Sequence, residues 1–249
     1  MDARRLASLD AMGIPAWSRR ADRVLPGAPG PALPAPVARP EDGGAPAGDD
    51  LPAGVAALDW AALEAAVGSC VRCPLHAGRT RTVFGVGHRE ADWLIIGEAP
   101  GAEEDRRGEP FVGRAGKLLD AMLAALGHDR AQVYIANVVK CRPPENRDPR
   151  PEEAASCAPY LDRQIALLRP RIILAVGRVA AQRLLDCDLP VGRLRGTVHR
   201  YGPDGIPLVV TWHPAYLLRR PEAKAEAWRD LVLATAAARS SRPASEVPA

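Results

Sequence analysis

Between Leu58 and Ala238, short apolar runs alternate with longer stretches whose apolar residues return every three or four positions, and few architectures accept that alternation. Trp93-Leu-Ile-Ile-Gly97, Val133-Tyr-Ile-Ala-Asn-Val-Val139, Arg171-Ile-Ile-Leu-Ala-Val176 and Pro207-Leu-Val-Val-Thr211 have the length and apolar continuity of strands buried on both faces. Between them, Leu118, Leu119, Met122, Leu123 and Leu126 follow helical spacing until Gly127 stops the run. Further helices are expected from Pro151 to Leu168, where Pro and two Glu suit a first turn, from Arg178 to Asp186, and over roughly Glu222 to Ala238. Strands of this kind separated by amphipathic helices imply an α/β fold with a mainly parallel sheet covered on both faces. In such sheets the working residues lie beyond the carboxyl ends of the strands. Glu98, Asn137, Gly177 and His213 each fall at or beside such an end.

The flanks read differently. Residues 1–54 hold a short apolar pattern, Leu6, Leu9, Met12, Ile14 and Trp17, fit for one small helix. A flexible linker is expected after it, because eight of the 25 prolines fall between Pro26 and Pro52. Residues 55–238 form the expected folded domain, and the Ser/Pro-rich residues 239–249 a frayed tail. No apolar run is long enough to span a bilayer, and Asp2, Arg4 and Arg5 replace a secretory core, so a cytoplasmic address is expected, without membrane attachment. The net charge of +3 permits nucleic-acid binding without demanding it. Only Lys117, Lys140 and Lys224 of the 33 basic residues are lysine; guanidinium forks suit phosphates, but a base-composition bias gives the same pattern.

Five cysteines are present: Cys70, Cys73, Cys141, Cys157 and Cys187. Reducing conditions disfavour disulfides, and Cys70-Val-Arg-Cys73 is a turn able to aim two thiolates at one ion. Cys141 opens a Pro-rich loop after a strand and Cys157 lies in the next helix, which makes four soft ligands and leaves Cys187 over. Spacing alone does not separate zinc from an iron–sulfur cluster, or either from unpaired buried thiols.

The chemistry is concentrated in three stretches. Gly97-Glu-Ala-Pro-Gly101 ends a strand in a sharp turn that exposes a carboxylate, and it matches neither a P-loop nor G-x-G-x-x-G. Phe111 follows in a Pro/Gly-flanked loop, as a core residue or a stacking platform. Asn137 presents a donor and an acceptor together, which suits a pyrimidine edge as well as a turn. His213 precedes Pro214, which stiffens the chain, while Leu217 and Leu218 beside Arg219 make either an apolar wedge with a flanking charge or an ordinary helix start.

Gly97-Glu-Ala-Pro-Gly101, Glu109-Pro-Phe-Val-Gly113, Asn137-Val-Val-Lys-Cys-Arg-Pro-Pro144, the cysteines and His213-Pro-Ala-Tyr-Leu-Leu-Arg219 together resemble the family 4 uracil-DNA glycosylases over about Leu58 to Ala238. The resemblance implies a three-layer α/β/α sandwich with a four-stranded, mainly parallel sheet. It implies a [4Fe–4S] cluster on Cys70, Cys73, Cys141 and Cys157, with structural zinc as the alternative. It implies a monofunctional enzyme, expected to be a monomer, that flips uracil out of DNA and hydrolyses its N-glycosidic bond to start base excision repair. Glu98 would then position water, His213 hydrogen-bond uracil O2, Phe111 stack on the base, and Asn137 bond O4 and N3–H. Glu104 would crowd C5 against thymine, Leu217 or Leu218 fill the vacated stack, and Arg219 hold phosphate. Ala99 belongs to the base-binding turn; relatives that cross-link to DNA carry Gln there and a basic insert after the Asn motif, both absent here. Ala215 replaces the usual Ser, which removes one hydroxyl contact. Two other readings are a zinc-bearing nucleic-acid-binding module, which has no use for Glu98, Asn137 and His213 together, and a small-molecule hydrolase, which would want a Ser or Cys nucleophile.

Overall fold

The computed structural model describes Met12 and residues 54–241. The four expected strands are present as β2 (Trp93–Gly97), β3 (Tyr134–Asn137), β4 (Ile172–Val176) and β6 (Ile206–Thr211). All four run parallel, in the spatial order β3-β2-β4-β6. Four is the expected strand number, but the sheet has six among the described residues: β1 (Val86–Gly87) and β5 (Val198–Tyr201) extend its two edges antiparallel. Neither edge carries a buried run. β1 is two residues long, and β5 alternates exposed with half-buried positions, so continuous apolarity, the sign of a central strand, is missing.

Period-two alternation sorts the strand residues onto two cores. Leu94, Ile96, Ile173, Ala175, Leu208 and Val210 face one side. There they meet α1 (Trp60–Gly68), α4 (Pro151–Leu168) and α5 (Arg178–Leu185) through Leu63, Leu161, Ile165 and Ala181. Trp93, Ile95, Ile135, Ile172, Leu174 and Val209 face the other side, against α3 (Arg114–Leu126) and α8 (Lys224–Ser240). The expected three-layer sandwich follows from this sorting. Short helices α2 (Ala102–Arg107), α6 (Val191–Leu194) and α7 (Pro214–Arg219) complete the α-helices among the described residues. The last helix runs two residues past Ala238, and α5 stops one short of Asp186. The readings of an N-terminal helix, a linker and a frayed tail fall almost wholly outside the described residues. Met12, however, is fully buried in the second core, which the expectation for residues 1–54 did not include. No helix among the described residues is long and apolar enough to cross a membrane.

The chain leaves β2 toward β3 on one side, whereas β4 leads to β6 on the other, so adjacent strands β2 and β4 part in opposite directions. A crevice opens at the carboxyl ends where such a reversal occurs. Register keeps those ends level: Gly97 pairs with Asn137, and Val176 with Thr211. Thr211 is anchored from behind, since its hydroxyl donates to Asp230 Oδ2 at 2.9 Å and Arg195 donates to both oxygens of the same carboxylate, at 3.1 and 3.0 Å. Asp230 is wholly buried and Arg195 nearly so. Asp230→Ala leaves the Thr211 hydroxyl without its acceptor and Arg195 with Glu226 alone, and urea unfolding is expected to show a loss of about 1–3 kcal/mol. A loss below about 1 kcal/mol would mean that Arg195 finds water instead.

Candidate active site

A cavity of about 510 Å³ opens at the carboxyl ends of the parallel strands, within the usual range for small-molecule sites. Glu98, Ala99, Glu104, Phe111, Asn137 and His213 all line it. Sequence separation between the first and last of these exceeds a hundred residues, and the strand ends bring them together.

Gly97 is the floor. A Cβ there would stand 2.5 Å from both the Phe111 ring and Asn137 Oδ1, so the bare backbone is what admits the ring and the amide. Asn137, the last residue of β3, is buried, and its Oδ1 has no hydrogen-bond partner. A buried carboxamide oxygen left unpaired costs about 1–3 kcal/mol, which marks it as waiting for a donor. Its backbone is fixed from below, where Lys140 Nζ donates to the Asn137 carbonyl at 2.9 Å and to Gln164 Oε1 at 2.6 Å.

Phe111 sits in the left-handed region (φ 54°), an uncommon conformation for an aromatic residue. Two clamps hold it there. Arg130 donates to the carbonyls of Pro110 and Phe111, the latter at 3.2 Å. Glu104 Oε1 accepts from the N–H groups of Val112 and Gly113 at 3.1 and 3.2 Å. Glu104 therefore shapes the Phe111 loop as well as lining the cavity. The Phe111 ring lies 5.6 Å from the His213 ring at an interplanar angle of 30°.

His213 caps α7. Its Nδ1 accepts the Ala215 N–H at 3.1 Å, and Pro214 follows at the first helical position. Burial, reinforced by Arg219 and opposed by Glu104, brings the imidazole down to about 4. At neutral pH the ring is uncharged, and with Nδ1 accepting, its single proton lies on Nε2. Glu98 moves the other way: burial first, then its contact with Asp148, pushes the carboxyl up to about 7 against the pull of Arg178. A neutral donor and a reluctant acid thus share one cavity, the pattern of acid/base sites tuned by desolvation.

Downstream in α7, one expectation is corrected. Leu217 is wholly buried in the second core and is no free wedge, because α7 docks on α3 through it. Leu218 is the exposed leucine, at 39%, next to exposed Arg219, which reaches the cavity rim. Asp148 and Arg130 also belong to the site's framework, and no motif in the sequence marked them; Lys140, inside the Asn137 motif, was given no role there. Their signal lies in partners distant along the chain.

Cys70, Cys73, Cys141 and Cys157 line one compartment between α1 and α4. Burial raises Cys157 to about 11, with the nearby Cys141 and Cys70 adding to the rise. Arg79 donates to Cys141 Sγ at 3.2 Å, and the Lys140 N–H to Cys157 Sγ at 3.3 Å. Among the described residues no three His, Cys, Asp or Glu side chains are grouped as a single bound metal ion would require. The four thiols instead stand around a shared space. Cys187 is not among them.

The family model for the Uracil DNA glycosylase superfamily matches residues 84–232. The chain belongs to that superfamily. It is 47% identical over 165 residues to the type-4 uracil-DNA glycosylase of Archaeoglobus fulgidus, covering 64% of this chain and 82% of that protein. It is 42% identical over 182 residues to that of Pyrobaculum aerophilum (71% and 93%), and 45% identical over 155 residues to that of Thermotoga maritima (61% and 80%). The span matched to the uracil-DNA glycosylase superfamily contains Glu98, Phe111, Asn137 and His213, whereas Cys70 and Cys73 precede it.

Nitrogen-detected NMR on histidine-labelled protein is expected to show His213 with its proton on Nε2 and no titration above pH 5. A proton on Nδ1, or a midpoint between 6 and 7, would contradict the capping geometry.

Proposed function

We propose that this chain is a monofunctional uracil-DNA glycosylase that removes uracil from DNA by hydrolysing its N-glycosidic bond, and so initiates base excision repair. The observation that carries the reading is the unpaired Oδ1 of Asn137, buried in the cavity beside an aromatic ring. Uracil N3–H supplies the missing donor, and uracil O4 accepts from the amide nitrogen. Cytosine has no hydrogen on N3 and an amino group at position 4, so it leaves two buried groups opposed. A site built to pair a substrate N–H rejects analogues lacking it by factors of up to about 10⁴–10⁵.

The base inside a duplex is out of reach, so the nucleotide is flipped out at a cost of a few kcal/mol. Leu218 takes the vacated space and Arg219 holds a phosphate. Phe111 stacks on the base, contributing roughly 1–3 kcal/mol. Ala99 and Glu104 border the base, with Glu104 on the side of C5. As the bond from C1′ to N1 breaks, its electron pair leaves with uracil and charge gathers on O2. The Nε2–H of His213 donates to that oxygen; being neutral, the imidazole stabilises the charge by a hydrogen bond without giving up its proton. Glu98, ionised, orients water toward C1′, faces the positive sugar and receives the water's proton. No lysine lines the cavity, and Lys140 is bound to Asn137 and Gln164, so no amine is placed for a Schiff base.

Four cysteines lining one compartment, with no carboxylate among its lining residues, suit an iron–sulfur cluster. Cys70, Cys73, Cys141 and Cys157 would hold a [4Fe–4S] cluster. When bound it supplies a covalent tie between the turn after α1, the loop after β3 and helix α4. Base removal takes no step through it.

Asn137→Asp is expected to abolish the preference for uracil over cytosine in oligonucleotides treated with alkali after incubation, and undiminished preference would refute the pairing. Iron and sulfide analysis is expected to give four of each per chain. Stoichiometric zinc would overturn the cluster reading.

A further inference from the structure

Asp148, in the loop between β3 and α4, lines the same cavity as Glu98, and their carboxyl groups are hydrogen-bond partners. Arg178, the first residue of α5 beyond the end of β4, donates to Asp148 Oδ2. The loop is held in turn. Arg147 donates to the Asp148 carbonyl at 2.8 Å and grips both oxygens of buried Glu153 at 2.8 and 2.7 Å. Asp148 is thus aimed at Glu98 by two arginines and a helix.

We propose that Asp148 and Arg178 are positioning residues for base removal, a pair that sets both the direction and the ionisation of Glu98. The proposal rests on Glu98 as the carboxylate that handles water. Two carboxyl groups in contact do not both ionise freely; one holds a proton that the other accepts. Arg178 pairs with Asp148, and Asp148 in turn favours the proton on Glu98, which Arg178 acting directly opposes. The other charged or titratable groups around the cavity are Glu104 from α2, Arg147 from the same loop, His213 at the cap of α7 and Arg219 at its end. His213 is neutral, and Arg147 is engaged by Glu153. The free enzyme therefore holds the Glu98 proton near neutrality, and the Asp148 contact limits the directions in which the Glu98 carboxyl can turn.

The test is the pH dependence of kcat/KM for uracil excision, which reports the free enzyme. The full-length protein is compared with D148N, R178Q and E98Q. The unaltered protein is expected to lose activity as pH falls through about 7. D148N is expected to move that acid limb to lower pH and R178Q to higher pH, with the larger displacement in D148N. Opposite displacements are a result that a merely structural role does not give. If neither limb moves, or both move the same way, the pairing is wrong, even when the rates fall. Full activity in E98Q would overturn the reading of Glu98 itself, whereas loss in E98Q with unmoved limbs in the other two sinks only the pair. Should D148N not fold, Asp148→Ser takes its place under the same criteria.

Discussion

Two-sided burial of β2, β3, β4 and β6 fixes everything downstream. Because alternate residues of each strand enter different cores, a slip of one position would move Leu94 and Ile96 into the space that suits Trp93 and Ile95. The register is therefore unique, and it sets the strand ends level. Gly97, Asn137, Gly177 and Thr211 end up at one end of the sheet because the apolar packing of the residues just before them in each strand leaves them nowhere else to be. The buried Asp230 cluster holds the last of these from the far side, so that His213 enters α7 at a set angle.

The same burial sets the electrostatics. Desolvation holds His213 neutral and raises Glu98 toward neutrality, and each shift suits the task assigned to it. A cationic imidazole would bind the leaving group more strongly, yet it would also attract phosphate into a pocket meant for a base. For Glu98 the sign runs against stability. Its proton is held more tightly in the folded chain than in the unfolded one, so its contribution is without penalty below pH 4.5 and becomes unfavourable as pH climbs to about 7. The fold carries that cost in exchange for a carboxylate that still exchanges its proton at working pH.

Most of the sheet was legible because a central parallel strand has a plain sign, four or five apolar residues in a row. The edges were not. Val86-Gly87 has no pattern to read, and Val198–Tyr201 is half solvated. Glu98, Asn137 and His213 were legible from their places beside strand ends, Phe111 from its Pro/Gly-flanked loop, and their convergence needed only the topology. What sequence could not separate was Leu217 from Leu218: adjacent on a one-and-a-half-turn helix, they point about 100° apart, and only the position of α3 decides which is covered. Asp148 was hidden for a different reason. It lies in a run of charged residues and prolines resembling any solvated loop, and its meaning comes from Arg178, thirty residues later.

Gly97 contributes by lacking a side chain, and that has a bearing on how such a pocket can change over time. Any replacement there puts an atom into the ring and the amide at once, so the position admits no intermediate between working and blocked. Base preference can drift only through the residues that surround the gap, each carried by a different loop with its own clamps. A lineage that came to excise another damaged base would have to alter the walls and leave the floor alone.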